Sequence, residues 1–175
     1  MNSDTYHHGS GTRVSEQLTR YFERYAEDAI AKMKPALSLS GTVEKGALVF
    51  ANICSNCHVY GKVGNAVGPT LTEINRKSKE AIMHEILDPN SAVDTKYINH
   101  RLETKSGTIH IGIVAAENDK QVTIKKMGGA EISVPRNEIK QLSSLGTSLM
   151  MEGLEGSLTH QQMADLLAYL QKGVN

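Results

Sequence analysis

The strongest constraint on this chain is the pentapeptide Cys54-Ser55-Asn56-Cys57-His58. It has the C-x-x-C-H spacing of a c-type haem attachment site. In such a site the two thiols add across the two vinyl groups of the porphyrin and form thioethers. Two intervening residues on a helical turn put both sulfurs on one edge of the macrocycle. The next residue, His58, is then placed to ligate the iron from the proximal side. The rest of the chain then has to hold, shield or tune that haem.

Composition agrees with a chain that leans on a cofactor for its core. With 175 residues it is long enough for one domain with modest additions. Hydrophobic content is 39%, with no Trp and two Phe, so large core side chains are scarce. A covalently held porphyrin brings a large apolar surface of its own. Nineteen basic residues balance nineteen acidic ones, so nothing points to nucleic acid or an anionic membrane as the main partner. Both cysteines lie in the motif, so thioethers leave no disulfide to form. No apolar run of about 18 residues is present, so no transmembrane helix is expected. The N-terminus has no apolar signal-peptide core, yet covalent haem attachment implies a periplasmic or otherwise exported protein. A mature form, or a domain cut from a longer chain, reconciles the two.

Residues 1–12 are polar and without period and read as a flexible arm. Residues 13–34 carry Val14, Leu18, Tyr21, Phe22, Tyr25, Ala29, Ile30 and Met33 at three- and four-residue steps, a helix ended by Pro35. Its stripe can pack on the domain, or meet a partner, a second copy included. A linker follows to residue 40. Thr42 then reads as the cap of a helix that runs into the motif, with Gly46 placed to let another helix approach closely. Residues 59–71 contain three glycines and a proline and form a loop. A carbonyl near Gly68-Pro69 can accept the His58 Nδ1–H and fix the tautomer that leaves Nε2 for iron. Ser78 caps a helix over 78–87, stopped by Asp88-Pro89-Asn90. Over 95–142, alternating β-branched residues between the turn signals Ser106-Gly107, Asn118-Asp119 and Gly128-Gly129 predict about four antiparallel strands. Residues 143–158 read as a loop, and Thr159 caps a last helix with Met163, Leu166, Leu167, Tyr169 and Leu170 on its apolar face.

Other chemistries fit the pentapeptide less well. Structural zinc takes about four ligands, and a second cysteine pair is absent. A redox C-x-x-C follows a strand, whereas this one ends a helical pattern. The sixth iron ligand separates the functions: a Met thioether favours electron transfer, an open site gas binding or catalysis. Met150 and Met151 lie after the proximal loop and before the last helix, where a distal ligand must be. Met83 and Met163 sit on apolar helical stripes, and Met127 at a hairpin turn. His84, His100 and His110 are weaker rivals, and His7 and His8 lie in the arm.

Several strings together resemble a known family. They are Gly46-x-x-x-Phe50, Cys54-x-x-Cys57-His58, Gly68-Pro69-x-Leu71, Ile86-Leu87-Asp88-Pro89-Asn90, Ser148-Leu149-Met150 and Asp165-Leu166-Leu167-Ala168-Tyr169-Leu170. On them, residues 42–172 resemble a class I monohaem cytochrome c. The closest likeness is to the haem-binding C-terminal domain of multidomain secreted proteins of planctomycete-type bacteria. The resemblance implies a mainly α fold: a class I cytochrome c helical core, a small antiparallel β insertion at about 95–142, and an extra N-terminal helix. Residues 1–12 would be the arm, 13–40 the helix and linker, and 41–175 the haem domain. It implies haem c at Cys54, Cys57 and His58, with Gly68, Pro69 and Leu71 around it. Met150 is the implied distal ligand. The family has a proline where Met151 stands here, which keeps Met151 as the alternative. The implied role is an electron carrier rather than an enzyme, serving a redox partner protein or an upstream dehydrogenase domain. Small-ligand binding through a labile methionine is the alternative.

Overall fold

The computed structural model describes residues 24–174. The expected arm at 1–12, and Val14, Leu18, Tyr21 and Phe22 of the expected N-terminal helix, lie outside the described residues. Among the described residues are four α-helices: α1 over residues 24–33, α2 (Val43–Val49), α3 (Lys79–Leu87) and α4 (His160–Lys172). Five strands complete the fold: β1 (Ile98–Thr104), β2 (Ile109–Glu117), β3 (Gln121–Lys125), β4 (Glu131–Pro135) and β5 (Ile139–Ser148).

The helix ends follow from local chemistry. Ser78 Oγ accepts the Ala81 N–H at 3.2 Å and starts α3. Thr159 and Gln162 form a reciprocal capping box at the start of α4. Thr42 does not cap α2 with its own side chain, as the sequence suggested. Its N–H instead donates to Asp165 Oδ1 at 2.7 Å, so a buried carboxylate on α4 closes the start of α2. Gly46 brings the two helices together: a Cβ there would lie 2.0 Å from the Asp165 carbonyl oxygen. Phe50, Tyr60 and Tyr169 stack around this crossing, with ring centroids 5.0–5.8 Å apart. The helical core gathers Met33, Phe50, Ile82, Leu87, Met163, Leu166 and Leu167, all nearly or fully buried.

The described part of α1 belongs to this body. Ala26, Ala29 and Met33 are buried within the chain. Tyr25 Oη donates to Glu155 Oε1 at 2.8 Å, and His160 Nε2 donates to the Lys32 carbonyl at 2.8 Å. Pro35 then opens a 3-10 turn, Lys34–Ser38.

The strands form one antiparallel sheet in the order β4-β3-β2-β1-β5. β4 and β5 therefore lie at opposite edges, yet only Arg136–Glu138 joins them. A flat five-stranded sheet would hold its edges about 19 Å apart, and four Cα steps reach at most about 15 Å. The sheet must curl. Its concave face closes on Leu102, Val122, Ile124 and Val134, a core separate from the helical one.

The expectation of a mainly α chain, a class I cytochrome c helical core with a small insertion, is therefore overturned. The described residues are about 40% helix and 25% strand, with a five-stranded antiparallel sheet that has its own hydrophobic core. The error lies mostly in β5. Its residues Ile-Lys-Gln-Leu-Ser-Ser-Leu-Gly-Thr-Ser have weak β propensity, and those from 143 on fall in the expected loop. They are held extended by pairing with β1, a partner some forty residues away. The sheet consequently runs past residue 142 to Ser148 and has five strands, where about four were expected. Among the described residues no helix is long and apolar enough to cross a membrane.

Candidate functional site

The pentapeptide begins where α2 widens into a π-helical turn, Phe50–Cys54. Such turns are rare and recur at functional sites. The Cys54 carbonyl accepts the Cys57 and His58 N–H groups at 3.1 and 2.9 Å, which winds residues 54–58 into a tight turn. The glycine-rich loop that follows is stitched back onto it. Asn65 N–H donates to the Ser55 carbonyl at 2.9 Å, and Val67 and Gly68 N–H donate to the Cys57 carbonyl at 3.0 and 2.7 Å. From the sheet, Gly128 N–H at the β3–β4 turn donates to the Asn56 carbonyl at 3.1 Å.

This stitching fixes the His58 ring. Nδ1–H donates to the Pro69 carbonyl at 2.8 Å, which leaves Nε2 as the lone-pair nitrogen. The sequence expected a carbonyl near Gly68-Pro69 in this role. Gly68 adds a steric constraint. A Cβ at residue 68 would lie 2.7 Å from His58 Cε1 and 3.1 Å from Nδ1, so only glycine lets the loop lie against the ring.

Cys54, Cys57 and His58 line one cavity of about 630 Å³, together with Gly68, Pro69, Leu71 and Met150. This volume falls within the roughly 300–1,000 Å³ of cofactor and ligand sites. Every residue that the sequence assigned to the cofactor thus borders a single space. Its wall is mostly apolar, with Ile82, Ile86, Ile113 and Leu170 among the contributors.

The thiols are free and half-buried. Burial, and then the neighbouring Cys57, push the Cys54 thiol up to about 12. Burial also raises Cys57, against a smaller opposing effect of a Gly128 backbone hydrogen bond. Redox and nucleophilic cysteines need the opposite shift, because the thiolate is the reactive form. Among the described residues no cluster of three or more His, Cys, Asp or Glu is arranged to hold a metal ion.

The two distal candidates separate clearly. Met150 borders the cavity, while Met151 does not and is 58% exposed. Met83 and Met163 are buried in the helical core, and Met127 is exposed at the β3–β4 turn. His84 is exposed on α3. His100 Nδ1 donates to the Ile98 carbonyl at 2.9 Å. Burial, and then Lys126, lower the pKa of His110. None of these three histidines borders the cavity. His7 and His8 lie outside the described residues.

Sequence reasoning missed the segment after α3. The sequence marks Asp88-Pro89-Asn90 as a helix stop and a string of the resemblance, with no site role, yet Asp88, Pro89 and Val93 border the cavity. Tyr97 and Ile113 border it too, from the sheet side. The run of turn-forming residues at 88–94 was the available signal. Two neutral thiols, an imidazole with Nδ1 engaged and a thioether facing one apolar cavity fit a covalently attached haem with His58 and Met150 as axial ligands. No family model matches this chain, and no curated protein is significantly similar to it.

Proposed function

We propose that this protein carries electrons by a single haem c, held through thioethers at Cys54 and Cys57, with His58 and Met150 as axial ligands. The observation that carries the reading is the shared cavity: the whole C-x-x-C-H motif and Met150 border it, with the His58 ring already tied to Pro69. When bound, the haem supplies a one-electron couple whose potential depends on axial ligation, hydrogen bonding and burial.

The chain's own residues do the rest. The Pro69 carbonyl orients the imidazole and makes it a better donor. Gly68 allows the loop to pack on the ring. Met150 offers a soft thioether, which favours the reduced state relative to a second nitrogen ligand. Leu71, Ile82, Ile86 and Ile113 give the cavity an apolar wall against which a porphyrin could pack. The expected partner is a redox protein or a dehydrogenase domain. The compartment is an exported one, because covalent attachment takes place there.

Ferric and ferrous absorption spectra test the reading. His/Met ligation gives a far-red methionine-to-iron band in the ferric protein and slow carbon monoxide binding in the ferrous one. Met150→Ala removes the band, while Met151→Ala keeps it. A wild-type protein with no such band that binds carbon monoxide at once is an open-site haem protein, and the carrier reading fails.

A further inference from the structure

Beyond the motif and Met150, the Asn90 side chain ties two distant loops together. We propose that Asn90 is the positioning residue of the distal ligand, a clamp that holds the Met150 loop from both sides. The proposal rests on the reading of Met150 as that ligand.

The geometry is specific. Asn90 Oδ1 accepts the Ser148 N–H at 2.8 Å. Asn90 Nδ2 donates to Glu152 Oε1. The two bonds bracket Met150, two residues before it and two after. One amide side chain, with one acceptor and one donor, thus fixes both ends of a five-residue loop. A third bond works inside the loop: Met150 N–H donates to Ser148 Oγ at 3.1 Å.

The loop needs such a clamp. β5 loses its regular pairing just before it, since Ile98 faces Ser148 while His100 faces Ser144. Three β5 residues, 145–147, are thereby accommodated against Asn99 alone. Residues 149–153 contain no proline, and Gly153 turns the chain at φ 88°. Met151 is exposed.

Asn90 is itself well anchored. It follows α3, whose Ile82, Met83 and Leu87 are buried in the helical core. The Asp88 N–H bonds the His84 carbonyl at 2.8 Å, and Ser91 Oγ donates to the Asp88 carbonyl at 2.9 Å. The clamp therefore ties the distal loop to the helical body that carries His58. A thioether is a weak, neutral ligand, so loosening its loop directly lowers the fraction of time it spends bound.

The test uses the haem-loaded protein and three variants. Asn90→Asp keeps an acceptor for Ser148 N–H but sets a carboxylate against Glu152. Loss of an outer partner of this kind weakens ligation by about 10–100-fold. The expected readouts are a smaller far-red methionine band, faster carbon monoxide binding and a lower reduction potential, with unchanged far-ultraviolet circular dichroism. Asn90→Asp/Glu152→Gln restores the bond with the roles exchanged, because the new amide donates to the new carboxylate. It should recover the band and slow carbon monoxide binding again, which general damage to the fold could not do. Met150→Ala separates the two hypotheses. If it abolishes the band while Asn90→Asp leaves band, carbon monoxide rate and potential unchanged, the clamp is wrong and the ligand assignment stands. A double variant that behaves no better than Asn90→Asp also overturns the clamp. If the band survives Met150→Ala, both ideas fall. Should Asn90→Asp not fold, Glu152→Ala, which removes the acceptor of the Asn90 amide, takes its place: a smaller band and faster carbon monoxide binding are expected, and both unchanged overturn the clamp.

Discussion

Gly46→Ala probes the joint that the whole helical body depends on. A Cβ at this position would sit 2.0 Å from the Asp165 carbonyl oxygen and 2.6 Å from both its carbonyl carbon and Tyr169 Cβ. The nearest obstacles are backbone atoms of α4, which cannot rotate away. Ordinary contact begins near 3.4 Å, so α2 and α4 must part by about 1.4 Å at the crossing. That movement disturbs the Thr42 N–H to Asp165 bond and the Phe50–Tyr169 ring contact. Two effects oppose each other. Alanine is the better helix former by about 1 kcal/mol. Overpacking a core costs about 1–3 kcal/mol, occasionally more, and backbone obstacles place this site at the upper end. The net expectation is a loss of about 2 kcal/mol, or about 4–8 °C in Tm for a chain of this length. Thermal unfolding followed by circular dichroism measures it, with Gly156→Ala as control, because a Cβ at residue 156 meets nothing within 4 Å. An unchanged or raised Tm for Gly46→Ala, the result that propensity alone predicts, refutes the steric argument.

Two further outcomes bear on the cavity. Gly68→Ala forces the His58 ring back from 2.7 Å contact and strains its bond to Pro69. Weakened histidine ligation by about 10–100-fold is expected, seen as a ferric low-spin signal that collapses at higher pH values of acid titration than in the parent; an identical acid transition counts against it. In protein prepared without haem, Cys54 should resist alkylation near pH 8, because burial raises its thiol to about 12. The neutral thiol then dominates throughout the neutral range, and the rate should climb about tenfold per pH unit toward that value. Labelling at the rate of an ordinary exposed cysteine contradicts the burial argument.

The legible parts of this chain are those whose signals are local. Cys54, Cys57 and His58, proposed to hold the haem, stand within five consecutive residues, and the Pro69 carbonyl that His58 bonds is reached by a loop of about ten. The caps at Ser78 and Thr159 act on residues three places away. The illegible parts are set by distant partners. β5 is a strand because β1 lies beside it, so neither its serines nor its glycine announced one. Thr42 was a sound cap by residue type, yet Asp165, more than a hundred residues later, took the N–H at the start of α2. Asn90 looked like a helix stop, and its bonds to Ser148 and Glu152 span about sixty residues. The candidates Met150 and Met151 rest on order along the chain, after the proximal loop and before the last helix, so that expectation does not depend on how many strands lie between.

The sheet also changes what controls the distal side. β5 ends at Ser148, paired with Ile98 on β1, and Met150 follows two residues later. The loop that carries Met150, the proposed distal ligand, is therefore delivered by the curled sheet and tied by Asn90 to the helical body that holds His58. Since the two have separate cores, they should lose order separately. Leu102 is fully buried at the centre of the sheet's core. Leu102→Ala should cost about 2–5 kcal/mol there and little in the helical core. In a urea titration of the haem-loaded variant, the methionine band should then disappear at a lower concentration than the helical circular dichroism signal. In the parent protein the gap between the two transitions should be smaller. Local opening with its own free energy is the physical basis of such a gap. If both signals in the variant shift together and share one midpoint, the chain unfolds as one unit, and the distal ligand is not under the sheet's separate control.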